Sequence, residues 1–451
     1  MESLEGNRVK VSVDIDCDEF EKKLDQAFRK LAHEVRLPGF RPGKAPRRVL
    51  EARIGPQAAR GEALNDAVPE YYTRAINDHD VDAIAPPEID ITSGAEDGPV
   101  SFDAVVEIRP SVTVTGYDRL KVEVPSPEPT EEEISRQIDQ LRKQFGELAS
   151  VARPVLDGDN VTMDIYGSYN GEQVEGLTVD DYSYEVNQES LIPEIDEHLR
   201  GSKVGDILEF NARHPDPAED GLLRFRVLVK EVQETVLPDL DDEFVREASE
   251  FDTVDELQAD TSESIARSKR ANTLESLMHQ VAEQLAGLVT DDVPEALVDT
   301  EVLRRLRTFQ LRLDSQGVEV ETYLEAIGQT TEELVEALRG PALMEVKSDL
   351  ALRAVAAAEA IQVSAEDIEL EMALLAAQVG LTVDEIKSSV LGGDENRLKG
   401  VRLDALMRKT RGWVLERVEI TDDDGNPLEW SSLNPDDNFE LPPTLSENQT
   451  P

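Results

Sequence analysis

The chain has 451 residues, with 96 acidic against 46 basic side chains and a formal charge of −50. That length exceeds a single hydrophobic core and calls for roughly three domains, while the negative charge excludes a surface that binds nucleic acid all over. One cysteine, Cys17, excludes a disulfide framework, five scattered histidines lack metal-ligand spacing, and no stretch approaches the ~20 apolar residues of a membrane span, so no metal, no membrane and a cytoplasmic placement are expected.

Residues 1–115 read as an α+β domain. Val9–Ile15 alternates apolar and polar side chains, the pattern of a half-buried strand. Phe20, Leu24, Phe28 and Leu31 then recur at three- and four-residue spacing, an amphipathic helix. The segment that follows, Arg36-Leu-Pro-Gly-Phe-Arg-Pro-Gly-Lys-Ala-Pro-Arg-Arg48, carries prolines and glycines that forbid helix or strand continuation and place Phe40 where no core easily reaches it. The window from Glu21 to Arg60 holds 11 Lys/Arg and four acids, a net +7. A positive patch on an acidic protein signals contact with a polyanion. A second helix is expected over Ala58–Ile76, then strands over Ala83–Ile91 and Val100–Ile108.

Pro125-Ser-Pro-Glu-Pro129 reads as a stiff extended linker within residues 116–153. Thr130 opens a helix through a capping box to Glu133, with the stripe Ile134, Ile138, Leu141, Phe145 and Leu148, stopped by Pro154. Residues 154–233 turn β-rich. Asn160–Tyr166 alternates, Asn170-Gly171 marks a hairpin turn, Pro193–Leu199 is a short helix, Phe210 opens a weak segment and Leu223–Val232 is a strong alternating strand. Residues 234–420 are helical, with a long helix over Thr253–Val289, another opened by Pro294, and Gly317, Gly340-Pro341 and Gly380 as separators. The tail, 421–451, has eight acids, no Lys or Arg, and a composition expected to be disordered.

The run Gly39-Phe40-Arg41-Pro42-Gly43-Lys44-Ala45-Pro46 resembles the ribosome-docking signature of the trigger factor family of nascent-chain chaperones, with Pro42 at a variable position that is often Lys. Val161-Thr-Met-Asp-Ile-Tyr-Gly167, Leu191-Ile-Pro-Glu-Ile195 and Leu199-Arg-Gly-Ser-Lys-Val-Gly-Asp206 are similar to an FKBP-type peptidyl-prolyl isomerase domain. The likeness continues through Glu234–Phe244 and Glu250–Leu257. It implies a multidomain α+β protein in the family's order: an α+β docking domain, a linker, an FKBP-like antiparallel sheet with a short helix, and an all-α body with arms.

The function so implied is an ATP-independent chaperone that docks near the ribosomal exit tunnel, holds nascent chains, assists folding and export, and isomerises prolyl bonds. The implied partners are exit-tunnel protein and rRNA and unfolded polypeptides, with no DNA and no membrane; a homodimer of the free protein is left open. Glycine-rich phosphate loops are missing, so no cofactor is expected. By family position the docking residues are Gly39, Phe40, Arg41, Pro42, Gly43 and Lys44. The isomerase residues are Asp164, Ile165, Val174, Tyr182, Ile192, Ile195 and Phe225.

Rotation about a prolyl amide is opposed by a barrier of ~18–20 kcal/mol set by its partial double bond. An apolar pocket lowers that barrier by favouring the twisted, unconjugated state. Ile165 and Val174 stand where the family usually has aromatics, and the loop 214–221 lacks the usual tyrosine, so weak activity is expected. Leu303, Leu306, Phe309, Leu311, Leu313, Met372 and Leu375 are candidates to line a surface for unfolded chain, with Leu311 and Leu313 expected off their helix's main stripe. Rival readings are a free-standing isomerase and an RNA-associated regulator; ribosome co-sedimentation separates them.

Overall fold

A computed structural model describes residues 1–35, 40, 46–169, 172–187, 191–213, 222–392 and 395–434. The chain divides into two units: Met1–Val124 together with Glu275–Pro451, and Pro125–Leu274.

In the first unit, four antiparallel strands lie in the order Glu2–Leu4, Arg8–Ile15, Val100–Glu107, Glu88–Ser93. Alternation works as expected: Val9, Val11 and Ile15 meet Val100, Phe102, Ala104 and Val106 on the buried side. The edge strand begins at Glu88 rather than Ala83, which makes only an isolated bridge to Ile108. Helix Cys17–Glu34 is capped by the Asp16 carboxylate, which accepts from the backbone N–H groups of Asp18 and Glu19. It buries Phe20, Leu24 and Phe28 against helix Pro56–Asp78. In the latter Ala59, Ala63 and Ala67 recur every four residues, a small-residue row that shares one core with Phe102. A further helix, Arg47–Ile54, precedes it.

Two expectations about connecting segments are corrected here. Lys121–Val124, placed in the linker, is a strand that pairs in parallel with Glu419–Asp422, and Pro427–Leu428 adds a third strand. The tail is therefore ordered through Trp430–Leu433; residues 435–451 lie outside the described part. Val122, Val124, Ile420 and Leu433 join Leu277, Val281, Leu285, Leu350, Val355, Val414 and Leu415 in the body's core. A four-residue apolar alternation within a charged segment is too short to read as a strand; the partner 300 residues on decides it.

The long helix expected over Thr253–Val289 runs Val254–Leu288, and the body's other helices include Glu295–Ser315, Val320–Ile327, Thr331–Ala358, Ala365–Val379 and Glu395–Leu415. Gly380 ends its helix in the left-handed conformation that favours glycine, as a separator should. Gly340-Pro341 does not separate anything: helix Thr331–Ala358 runs through it. The lost backbone donor is offset by burial of the adjacent Ala342 against Val298 and Val302.

The second unit is a five-stranded antiparallel sheet. Strand Leu222–Val236 pairs with Glu147–Ser150, Asn160–Tyr169 and Ile207–Arg213, and Asn160–Tyr169 pairs on to Glu172–Glu185. A bulge between Val229 and Glu231 shifts the alternation by one, so that Leu223, Phe225, Val227, Val229 and Val232 all face the core. Helix Glu131–Gln144 has the expected capping box, and Ile138 packs with Phe244, Val245 and Leu257. The helix stops at Gln144, ahead of Pro154, because Leu148 belongs to the strand that follows. The expected hairpin turn at 170–171 lies outside the described residues.

Candidate functional site

Three groups of residues carry the functional expectations. In the docking segment only Phe40 is described, and it is 41% exposed. Gly39, Arg41, Pro42, Gly43 and Lys44 lie outside the described residues. The +7 of the surrounding window is partly spent within the fold. Lys23 pairs with Glu70 and Lys30 with Glu62, both acids on helix Pro56–Asp78. Arg47 binds Asp25 at 2.6 Å and Glu51 at 2.7 Å, and Arg60 donates to the carbonyls of Gly94 and Gly98. Lys22, Arg29, Arg48 and Arg53 are exposed with no ion partner among the described residues. The cationic face is thus narrower than the sequence window suggests, because acids outside the window fold back onto it.

The second group lies in the middle sheet. Ile165, Ile195 and Phe225 are buried in one core, with Tyr182 and Ile192 half-buried against it. These five come together as expected. Asp164 and Val174 do not join them. On strand Asn160–Tyr169 the inward positions are Val161, Met163 and Ile165, so Asp164 faces the other side. There it binds Lys230 at 2.7 Å and accepts the Asp181 backbone N–H at 2.8 Å; both hold its carboxyl below the usual carboxylate range. Val174 is half-buried outside that core, its carbonyl accepting from the Thr178 hydroxyl.

What the sequence reading missed is an aromatic ladder. His198 stacks on Phe210 with ring centroids 4.5 Å apart, and Phe210 stacks on Phe225 at 5.6 Å, both at 20° between planes. Phe210 sits in the middle of its strand rather than opening it. The ladder brings aromatic rings from helix Pro193–Leu199 and strand Ile207–Arg213 onto Phe225, with Phe210 and Phe225 buried and His198 exposed. No spacing rule joins residues 198, 210 and 225, since the three come from different elements.

The short helix is held by a buried polar contact. The Asp196 carboxylate accepts from the Tyr184 hydroxyl at 2.9 Å and the Asn187 backbone N–H at 2.8 Å. Burial, then Asp196, pushes the Tyr184 hydroxyl up, so it stays a proton donor at neutral pH. Gly167 lets strand Glu172–Glu185 approach, because a Cβ there would lie 2.5 Å from the Leu177 Cβ and 3.2 Å from the Phe225 ring. Such a site has apolar walls and one aromatic flank. Chemically it can desolvate an amide.

The third group is in the body. Leu303 is 65% exposed and Leu311 63%; Leu306 and Phe309 are half-buried, Phe309 meeting Tyr323 edge-on at 5.6 Å. Leu313 is buried, which corrects the expectation that it lies off the stripe with Leu311. Met372 is also core, packed with Ala376, Ile386 and Val401, and Leu375 is half-buried on the same cluster. Neither Leu313 nor Met372 offers surface to a partner.

Among the described residues, no helix is long and apolar enough to cross a membrane. The sequence matches the family described as bacterial trigger factor protein over residues 1–141, and its C-terminal counterpart over residues 253–416. A trigger factor of Saccharopolyspora erythraea is 34% identical over 96% of this chain and 92% of its own length. That of Halothermothrix orenii is 34% identical over 92% and 98%. A solved structure described as "Promiscuous Substrate Recognition in Folding and Assembly Activities of the Trigger Factor Chaperone" aligns with 91% of this chain and 97% of its own at 23% identity, with a TM-score of 0.43. With both family regions matched in order, and relatives at a third identity aligned over nearly the whole length, the chain belongs to the bacterial trigger factor family.

Proposed function

We propose that this chain is a cytoplasmic, ATP-independent chaperone that docks on the ribosome through residues 39–44. Its helical body shields emerging polypeptide and its middle sheet isomerises prolyl bonds. The observation that carries the reading is Phe40, a large apolar side chain 41% exposed in a cationic segment of a protein of charge −50. An apolar anchor flanked by Arg41 and Lys44 suits a partner made of protein and RNA. The exposed Leu303 and Leu311 support the shielding role, which needs dispersed and adaptable contacts. The core wall of Ile165, Ile195 and Phe225 supports the isomerase role.

The test is co-sedimentation with ribosomes. The triple substitution Phe40→Ala, Arg41→Ala, Lys44→Ala should abolish it with the fold unchanged, and parental binding should weaken as salt is added. Retained binding by the triple variant overturns the docking assignment. The isomerase reading is tested separately in a protease-free assay on peptides with an apolar residue before proline; a rate equal to the uncatalysed one removes it.

A further inference from the structure

Asp164 holds an isomerase position by resemblance, yet its buried carboxylate faces away from the core wall. Strand Asn160–Tyr169 is flanked at this point by two bulges. On one side Met163 pairs with Tyr182 and Ile165 with Val179, so Asp164 alone faces two residues, Asp180 and Asp181. On the other side Lys230 is the extra residue between Val229 and Glu231. Asp164, Asp181 and Lys230 meet on the outer face of the sheet. The Lys230 ammonium binds Asp164 at 2.7 Å and Asp181 at 2.6 Å, and the same Asp164 oxygen accepts the Asp181 backbone N–H at 2.8 Å. Alongside, the Tyr166 hydroxyl donates to the Asp180 carboxylate at 2.7 Å.

Asp181 is the strained member of the group. Its φ of +55° lies in the left-handed region that residues other than glycine, asparagine and aspartate rarely enter. The bulge it forms has a consequence on the inner face. Side chains an even number of residues apart share a face of a strand; those an odd number apart do not. Leu177 and Tyr182 lie five apart, and both pack against the middle core. The extra residue at Asp180-Asp181 supplies the odd step, and bulges beside active sites re-aim side chains in this way.

We propose that Asp164 is a positioning residue: with Lys230 it clamps Asp181 in the left-handed conformation and so turns Tyr182 onto the core shared by Ile165, Ile195 and Phe225. The inference rests on the isomerase reading of that core wall. The carboxylate does not touch the peptide; it acts through strand Glu172–Glu185, which lies at the edge of the sheet and has no neighbour on its far side to hold it in register. A clamp of two opposite charges around a backbone N–H suits that task, because charge-assisted hydrogen bonds are the strong ones. Tyr182 then adds an aromatic ring, half-buried, to a wall whose residues at 165, 192 and 195 are all isoleucine.

The experiment uses the full chain, at a temperature where circular dichroism shows every variant folded. In the protease-free assay Asp164→Ala should lower kcat/KM about tenfold, since a displaced wall costs rate steeply. Adding Asp181→Gly should bring kcat/KM back to within about twofold of the parent, because glycine adopts positive φ without a clamp. Asp164→Asn keeps an acceptor for the N–H and loses the charge; should Asp164→Ala fail to fold, it should show a severalfold loss that Asp181→Gly likewise recovers. Parental kcat/KM in the folded single variant overturns the proposal. So does a double variant as slow as the single one, since the carboxylate then meets the substrate itself.

A second readout is independent of catalysis. With methyl-labelled methionine, the parent should give a nuclear Overhauser contact between Met163 and the Tyr182 ring, which stand opposite each other on paired strands. Asp164→Ala should lose that contact and Asp181→Gly should restore it. A parent that runs at the uncatalysed rate removes the isomerase reading, and the Met163–Tyr182 contact then decides on the clamp alone: its persistence in Asp164→Ala overturns it.

Discussion

The middle sheet and helix Glu295–Ser315 treat the same kind of side chain in opposite ways. In the middle domain, Phe225, Ile165 and Ile195 turn inward to one core, and Asp164 and Arg153 are tied to Lys230 and Asp159 respectively. On the helix, Leu303 and Leu311 stand in solvent while Val298 and Val302 do the packing. A site that acts on one bond concentrates its energy in a few residues, whereas a surface that holds many sequences spreads it thin. Substitutions in the two regions should therefore fail in different currencies.

The sharpest contrast is Phe225→Ala. Loss of a buried ring costs about 3–5 kcal/mol, and here it also removes the inner end of the ladder. Both tryptophans, Trp413 and Trp430, lie outside the middle unit. In urea, the sheet's circular dichroism should shift to lower denaturant while tryptophan fluorescence keeps its midpoint. Coincident shifts in both probes break the comparison, because the two units then unfold as one.

An intermediate effect is expected at Asp367, in the capping box of helix Ala365–Val379. Burial alone would raise its carboxyl, but Lys409 at 2.7 Å and the Ser364 backbone N–H override it, taking it from an ordinary 3.8 down to about 2. A depressed carboxyl stabilises the fold above its unfolded value and loses that contribution as pH falls through its folded value. Asp367→Asn should thus cost about 1–2 kcal/mol at pH 5, a gap that narrows between pH 3.8 and 2. Urea titrations at a series of pH values read it; a gap independent of pH would assign the effect to the cap geometry instead of the charge.

The smallest effect on stability belongs to Leu303→Ser with Leu311→Ser, within about 0.5 kcal/mol of the parent because neither side chain is packed. Yet suppression of aggregation, followed by light scattering of a diluted denatured client, should fall about twofold. Full suppression with unchanged stability would leave these leucines without a holding role.

Legibility in the sequence follows the range of the contacts involved. Val100–Glu107 and the Thr130–Glu133 capping box were readable because period and cap are local properties. Gly340-Pro341 misled because local propensity was outvoted by packing at Ala342. In the candidate site, Ile165, Ile195 and Phe225 were named by resemblance, and the fold gathers them in one core. Asp164 lies apart from them because the motif names a position without saying which face of the strand it takes. His198 and Phe210 were missed because their meaning arises only when three elements are brought to one stack. Burial of Leu313 and Met372 likewise depends on which helices meet there.

The parallel pairing of Lys121–Val124 with Glu419–Asp422 bears on how the molecule itself is made. During synthesis the first of these strands emerges almost 300 residues before its partner, while every strand of the middle sheet lies between Glu147 and Val236. Sheets with nearby partners close early, and pairings across a long loop wait for the late segment. The middle sheet is then complete while Lys121–Val124 still lacks its strand partner, and the core around Val122 and Val124 is not closed until Ile420 and Leu433 arrive. A protein of this family thus passes through the condition of its own clients, with an unpaired strand on a growing chain.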